Sequence, residues 1–195
     1  MKRAEAIEYF QGRCARNPCD EDALHNLSVL YKSMGDMDQY QRYARMALLS
    51  NRGTHEHANE LGLALMAQGK FDQAADQFQS ALAANPSYGP SHMNLSALKA
   101  RRGLYREALT HAEDALKCMP EDVPALRNMG KILDMLGRTQ DAVAVNKRAL
   151  ALAPTDAALA HKISLQSVSR GENAQAHAHY DQYRRILGKK VDLKI

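Results

Sequence analysis

Apolar residues recur with a helical period along residues 55–88. From His55 to Gln68, the residues Ala58, Leu61, Gly62 and Leu65 fall three or four apart, which places them on one helix face. Gly69 follows and supplies the left-handed backbone that a helix exit commonly requires. After Lys70 a second run sets Phe71, Ala74, Ala75, Phe78, Ala81 and Leu82 on one face. Asn85-Pro86 stops it, because proline disfavours the helical conformation in the residue before it. The segment is expected to form a helical hairpin. Small residues at 62, 74 and 81 let its helices approach closely, while Leu61, Leu65 and Phe78 fill the gaps.

The hairpin pattern repeats every 34 residues. Glycine stands at 35, 69, 103, 137 and 171; Ala47-Leu48, Ala81-Leu82, Ala115-Leu116 and Ala149-Leu150 keep the same step, as do Pro86, Pro120 and Pro154. A small-residue column at Ser28, Gly62, Ser96, Gly130 and Ser164 runs in phase with them. One composition bias would not hold several residue types in register, so the chain is expected to be an array. Hairpins are predicted at 21–54, 55–88, 89–122 and 123–156, with a divergent one at 157–188. A lone helix over 3–16, within the cap segment 1–18, matches only the second half of a unit, and 189–195 forms a basic tail. That makes about eleven helices in one solenoid spanning 1–195, an all-α fold of antiparallel helix pairs.

Against this pattern composition changes little. Hydrophobic residues make up 45% of the chain and charged ones 25%, which suits a helical array and not a disordered segment. No apolar run approaches the roughly 20 residues that cross a bilayer, and no apolar stretch follows the basic start. A cytoplasmic location without membrane insertion is expected. Cys14, Cys19 and Cys118 are too few and too scattered for a disulfide framework or a zinc site, and all three are expected to be reduced. Charge is uneven: residues 1–88 hold 9 Lys or Arg against 11 Asp or Glu, and residues 89–195 hold 17 against 11.

The pattern resembles the tetratricopeptide repeat, whose signature reads W-x2-L-G-x2-Y, A-x3-F and P. The unit from 55 supplies Ala58, Leu61, Gly62, Leu65, Ala74, Phe78, Ala81 and Pro86 at the signature places. The unit from 21 supplies Leu24, Leu27, Ser28, Tyr31, Tyr40, Ala44, Ala47 and Arg52; that from 89 supplies His92, Leu95, Ser96, Lys99, Ala108, Ala112, Ala115 and Pro120. The unit from 123 supplies Leu126, Met129, Gly130, Leu133, Ala142, Asn146, Ala149 and Pro154. The resemblance implies a right-handed superhelical solenoid. Tyr40 and Ala44 exchange large and small places, a swap that conserves volume within one interface. Where the second-helix alanine is expected, Arg13 and Tyr183 stand instead, which fits capped ends; Tyr180, Tyr183, Arg184 and Arg185 also fit a docking face.

Catalytic signatures are lacking: there is no G-x-S-x-G, phosphate-binding glycine loop, H-E-x-x-H or dinucleotide fingerprint. No enzyme activity and no cofactor are expected. His55 and His57, like His177 and His179, lie two apart and point to different faces, so they are expected to be solvated and not metal ligands. Asp20-Glu21-Asp22 and Glu121-Asp122 fall at helix starts, where negative charge complements the helix dipole. Basic residues of the carboxyl half alternate with acids, and stacking aromatics are few, which argues against a nucleic-acid partner.

What remains is the surface of the first helices. In the family these line a concave groove, and the second, fifth, sixth and ninth residues of each unit point into it. The resemblance therefore marks Asp22, His25, Asn26 and Val29; Glu56, Asn59, Glu60 and Leu63; Pro90, Met93, Asn94 and Ala97; Pro124, Arg127, Asn128 and Lys131; and Ala158, His161, Lys162 and Leu165. From these, Asn26, Asn59, Asn94, Arg127, Asn128, Lys131, His161 and Lys162 are the candidate peptide-binding residues. Asn26, Asn94 and Asn128 share the sixth place. They fit a ladder of carboxamides pairing with an extended peptide backbone, as in some members of the family, and equally a tolerated exposed polar residue. The arrangement that clamps chaperone carboxyl tails is not present in any three consecutive units. Arg127, Lys131 and Lys162 make a basic patch suited to an acidic peptide or a carboxylate terminus. The expected function is a protein-binding adaptor or scaffold. The alternative is a structural subunit of a cytoskeletal, ciliary or secretion assembly, docked through its convex face and ends as a homo-oligomer or within a multiprotein complex.

Overall fold

The computed structural model describes residues 3–50 and 54–188. Among them are eleven α-helices and no strand: α1 (Arg3–Arg16), α2 (Glu21–Met34), α3 (Met37–Ser50), α4 (His55–Ala67), α5 (Phe71–Ala84), α6 (Gly89–Arg101), α7 (Tyr105–Cys118), α8 (Val123–Met135), α9 (Thr139–Leu152), α10 (Ala157–Ser169) and α11 (Asn173–Leu187). The all-α class and the helix positions agree with the periodicity. Arg52 and the basic segment 189–195 lie outside the described residues.

Local chemistry sets the helix boundaries. Asp20, Asp122 and Asp156 precede α2, α8 and α10, and each carboxylate accepts the backbone N–H three residues on, at Ala23, Ala125 and Leu159. Thr54 does the same for α4 through the His57 N–H. A cap satisfies a donor that the first turn leaves without an intrahelical partner. The glycines at 35, 69, 103, 137 and 171 all have φ between 72° and 77°. Each closes a first helix in a left-handed turn; after Gly69, for example, the Lys70 N–H returns to Leu65 O at 2.9 Å.

The chain forms two compact units, Met1–Leu98 and Lys99–Ile195. In the first, α1 through α5 pack in sequence, each against the next. Leu24, Leu27, Tyr43 and Ala47 form one core cluster with Ile7 and Phe10 of α1 against it. Tyr40, Ala44, Leu61, Ala64, Leu65, Ala74 and Phe78 form a second with Leu95 and Leu98. Tyr40 and Ala44 lie in this one cluster, so the exchange of large and small residues stays within a single interface. Burial of Tyr40 also brings a polar group inside, and its phenol donates to Glu60 Oε2 at 2.7 Å. That burial, then the carboxylate, pushes the phenol well above its usual pKa. At the start of the unit, Arg13 binds Asp20 through two bonds of 2.8 Å and holds that carboxyl below its ordinary pKa.

Two histidines depart from the solvated expectation. His57 is buried, its Nδ1 lying 2.8 Å from Thr54 Oγ1 and its Nε2 3.7 Å from Glu21. His55 turns its ring edge against Tyr88, centroids 4.6 Å apart. Helix-face spacing separates these residues but does not state that they meet Glu21 of α2 and Tyr88, which follows α5.

The second unit packs α7 through α11 in sequence. Ala108, Leu109, Ala112, Ile132, Leu133 and Ala142 make one cluster; Leu126, Ala149, Leu150, Leu159, Ala160 and Ile163 make another, with Tyr183 and Ile186 of α11 against it. Ala149 and Ala160 are fully buried, which is how small residues permit close helix contact.

Candidate functional site

In the second unit, α8 and α10 present their exposed faces side by side around a cleft of about 330 Å³ lined by Arg127, Asn128, Lys131, Asn146, Ala158, Leu159 and Lys162. Lys131 lies four residues after Arg127 and three after Asn128 on α8, and Ala158 and Lys162 lie four apart on α10, so each helix turns these residues toward one side. Asn146 reaches the cleft from α9, where it stands two repeats beyond Phe78.

That exchange shapes the wall. In the first unit the Phe78 ring packs directly over Gly62, so closely that a Cβ at 62 would lie 2.5 Å from Phe78 Cε1. In the second unit Asn146 packs over Gly130, where a Cβ would lie 2.3 Å from Asn146 Oδ1. The carboxamide is fully buried and smaller than a phenyl ring, and a cleft adjoins it.

A polar relay orients Asn146. Gln166 Nε2 donates to Asp134 Oδ1 at 2.7 Å; an ionised carboxylate only accepts, so Gln166 Oε1 must be the acceptor for Asn146 Nδ2, at 3.2 Å. Asn146 Oδ1 is then left buried with no donor. The second oxygen of Asp134 holds Lys162 Nζ at 2.8 Å, and Asp156, the cap of α10, holds Arg127 Nη1 at 2.8 Å. Two of the three rim cations are therefore neutralised by neighbours. Lys131 is exposed and has no acidic partner among the described residues. The five charged groups sum to one positive charge at neutral pH.

Of the eight residues marked from sequence, Arg127, Asn128, Lys131 and Lys162 come together here. His161 does not join them: its ring stacks on Tyr183 of α11, centroids 4.7 Å apart and planes 19° from parallel. In the first unit, Asn59 is buried and its Oδ1 accepts from both Ser91 Oγ at 3.0 Å and Asn94 Nδ2 at 2.9 Å. Asn26 is exposed, and its Nδ2 donates to Asp22 O on its own helix at 2.6 Å. Asn26, Asn59 and Asn94 are thus each bonded within the fold. Sequence reasoning missed Asn146, Asp134, Asp156 and Gln166; the departure from phenylalanine at 146 was the available signal. Among the described residues no group of three or more His, Cys, Asp or Glu is gathered as a metal would require, and no helix is long and apolar enough to cross a membrane.

Comparison with known families agrees with the architecture: tetratricopeptide-repeat models match residues 58–88 and 93–157. The chain is a tetratricopeptide-repeat protein. Curated protein sequences yield no match to it. Solved structures do. A chain of the APC/C hetero-tetramer Cut9-Hcn1 is 20% identical with a TM-score of 0.78, over 97% of this chain and 38% of that one, so the repeat protein spans well under half of that relative. The pilF protein of Pseudomonas aeruginosa is 18% identical, with a TM-score of 0.78 over 91% of this chain and 80% of that one. YrrB, described as a TPR protein with an unusual peptide-binding site, is 17% identical, with a TM-score of 0.70 over 94% of each chain. At these identities the likeness shows the tetratricopeptide fold.

Proposed function

We propose that this tetratricopeptide-repeat protein is a non-enzymatic adaptor that binds a segment of a partner protein on the exposed face of its first helices, with the α8–α10 cleft as a principal contact. The observation that carries the reading is the cleft itself, where a free cation, two braced cations and an underfilled wall converge on one surface. Pre-positioned charges of this kind lower the ordering cost of binding. The description of YrrB as holding a peptide-binding site supports a peptide on this scaffold, and the Cut9-Hcn1 assembly supports a protein partner. Domain 1–195 is proposed to act as one array.

Photo-crosslinking tests this reading. A photoreactive residue at Lys131 or Leu165 of the first helices should capture partner protein, whereas one at Ala144 or Leu152 on α9 should not. Capture confined to α9 would refute it.

One observation favours docking through second helices instead. In the first unit a cleft of about 280 Å³ opens on α3 and α5, lined by Gln41, Arg45, Gln73, Asp76 and Gln77 over Leu61 and Leu65. A photoreactive residue at Gln77 that captured partner while Lys131 did not would favour the structural-subunit alternative.

A further inference from the structure

The face that holds the α8–α10 cleft continues beyond it. On α8, Arg127, Lys131 and Met135 succeed one another at intervals of four, and on α10 Lys162 is followed three residues later by Leu165. Residues so spaced share one side of a helix. Met135 is 54% exposed and Leu165 58%, high values for large apolar side chains. The surface therefore has two parts: a cationic cleft, then an apolar patch about one helical turn, roughly 5.4 Å, further along.

Charge decides what the first part takes. Asp156 and Asp134 already neutralise Arg127 and Lys162, so the site carries a surplus of one positive charge, centred on Lys131. That surplus matches a single carboxylate. A cationic partner group would be repelled by the same surplus. The cleft also lies in the half of the chain with 17 Lys or Arg against 11 Asp or Glu, so the wider field draws an acidic segment toward it.

Spacing decides the rest. In an extended chain, side chains two residues apart point to the same side and are separated by about 6.7 Å. That separation is close to the one-turn distance from Lys131 to Met135. Resting on the groove reading above, the geometry points to a two-part ligand: an extended partner segment that sets an internal Asp or Glu side chain among Arg127, Lys131 and Lys162, and an apolar side chain two residues away over Met135 and Leu165.

The test uses the full chain, isotope-labelled, with acetylated and amidated peptides of the form Gly-Ser-Gly-Ser-Glu-Ser-Leu-Ser-Gly-Ser-Gly and the reversed Leu-Ser-Glu order, titrated by NMR. At least one order should move amide signals of α8 and α10. Exchanging its glutamate for glutamine should weaken binding about three- to tenfold, the range of a partly exposed charge-assisted contact. Exchanging its leucine for serine should weaken it about fivefold. Lys131 is exposed, so Lys131→Glu should leave the fold intact and reverse the preference, with a Lys-Ser-Leu peptide binding more tightly than Glu-Ser-Leu. A glutamine peptide with a free carboxyl terminus that bound as well as the glutamate peptide would overturn the internal-side-chain assignment. Signals on α8 and α10 that ignored the glutamate-to-glutamine exchange would overturn the carboxylate and leave the groove reading standing. Signals confined to α9 and α11 would overturn both, and absence of binding by either order at millimolar peptide would overturn the two-part ligand.

Discussion

Replacing Gly62 by alanine should reverse its effect on stability according to what stands at position 78. An alanine Cβ at 62 would lie 2.5, 2.8 and 2.9 Å from Cε1, Cδ1 and Cζ of Phe78. Carbon atoms settle at about 3.5–4.0 Å, so the ring or the helix must move. The ring has no free direction, since Phe78 is fully buried in the cluster with Leu61, Leu65, Ala74 and Leu95. Overpacking a core costs about 1–3 kcal/mol, while exchanging a mid-helix glycine for alanine contributes about 1 kcal/mol in the opposite sense. Gly62→Ala should thus lower stability by about 1 kcal/mol. Phe78→Ala alone should lower it by about 3–5 kcal/mol. In that background the obstacle is gone, and adding Gly62→Ala should raise stability by about 1 kcal/mol. The coupling between the two sites is then about 2 kcal/mol. Urea unfolding of the four proteins measures it, with hydrogen exchange at α4 and α5 amides, because neighbouring repeats can open separately. Phe78→Leu offers the same comparison at a smaller initial loss. If Gly62→Ala shifted both backgrounds equally and in the same direction, glycine would not be what allows α4 and α5 to approach, and the reasoning fails.

Tyr40→Phe removes the buried phenol that donates to Glu60 and should cost about 1–2 kcal/mol, read from the midpoint of urea unfolding. Asp156→Ala removes the cap of α10 and should cost about 1 kcal/mol, seen as faster hydrogen exchange in the first turn of that helix. Arg13 holds the Asp20 carboxyl below its ordinary value of 3.8, so this pair contributes stability that is fully present above about pH 4 and is lost as pH falls through the depressed folded value. Asp20→Asn keeps a capping side chain but removes the titration, so the difference in unfolding midpoint between it and the parent should shrink as pH drops from about 5 to about 2.5. A difference that stayed constant across that range would show that Asp20 does not titrate with folding.

Much of the scaffold was legible because its causes are local. The 34-residue step, the turn glycines and the apolar spacing located eleven helices, and the acids before α2 and α8 cap them as helix-start chemistry implies. The candidate site was legible in part. Arg127, Asn128, Lys131 and Lys162 were marked by their place in the repeat and do converge. His161 and Asn59 hold equivalent places yet are engaged elsewhere, one by Tyr183 and the other by Ser91 and Asn94. Repeat position states which way a side chain leaves its helix, not what it meets there.

The sequence by itself determined the repeat family, the helix order and the faces on which charge and apolar residues stand, because helical period and chain reversal depend on neighbours in the chain. Only the tertiary structure decided which polar groups are spent inside the fold and which are left for a partner. Asn146, Gln166, Asp134 and Lys162 come from three helices, and the bonds among them depend on distances that no spacing along the chain encodes. The same holds for Arg127 and Asp156, whose pairing leaves Lys131 as the cation available at the cleft.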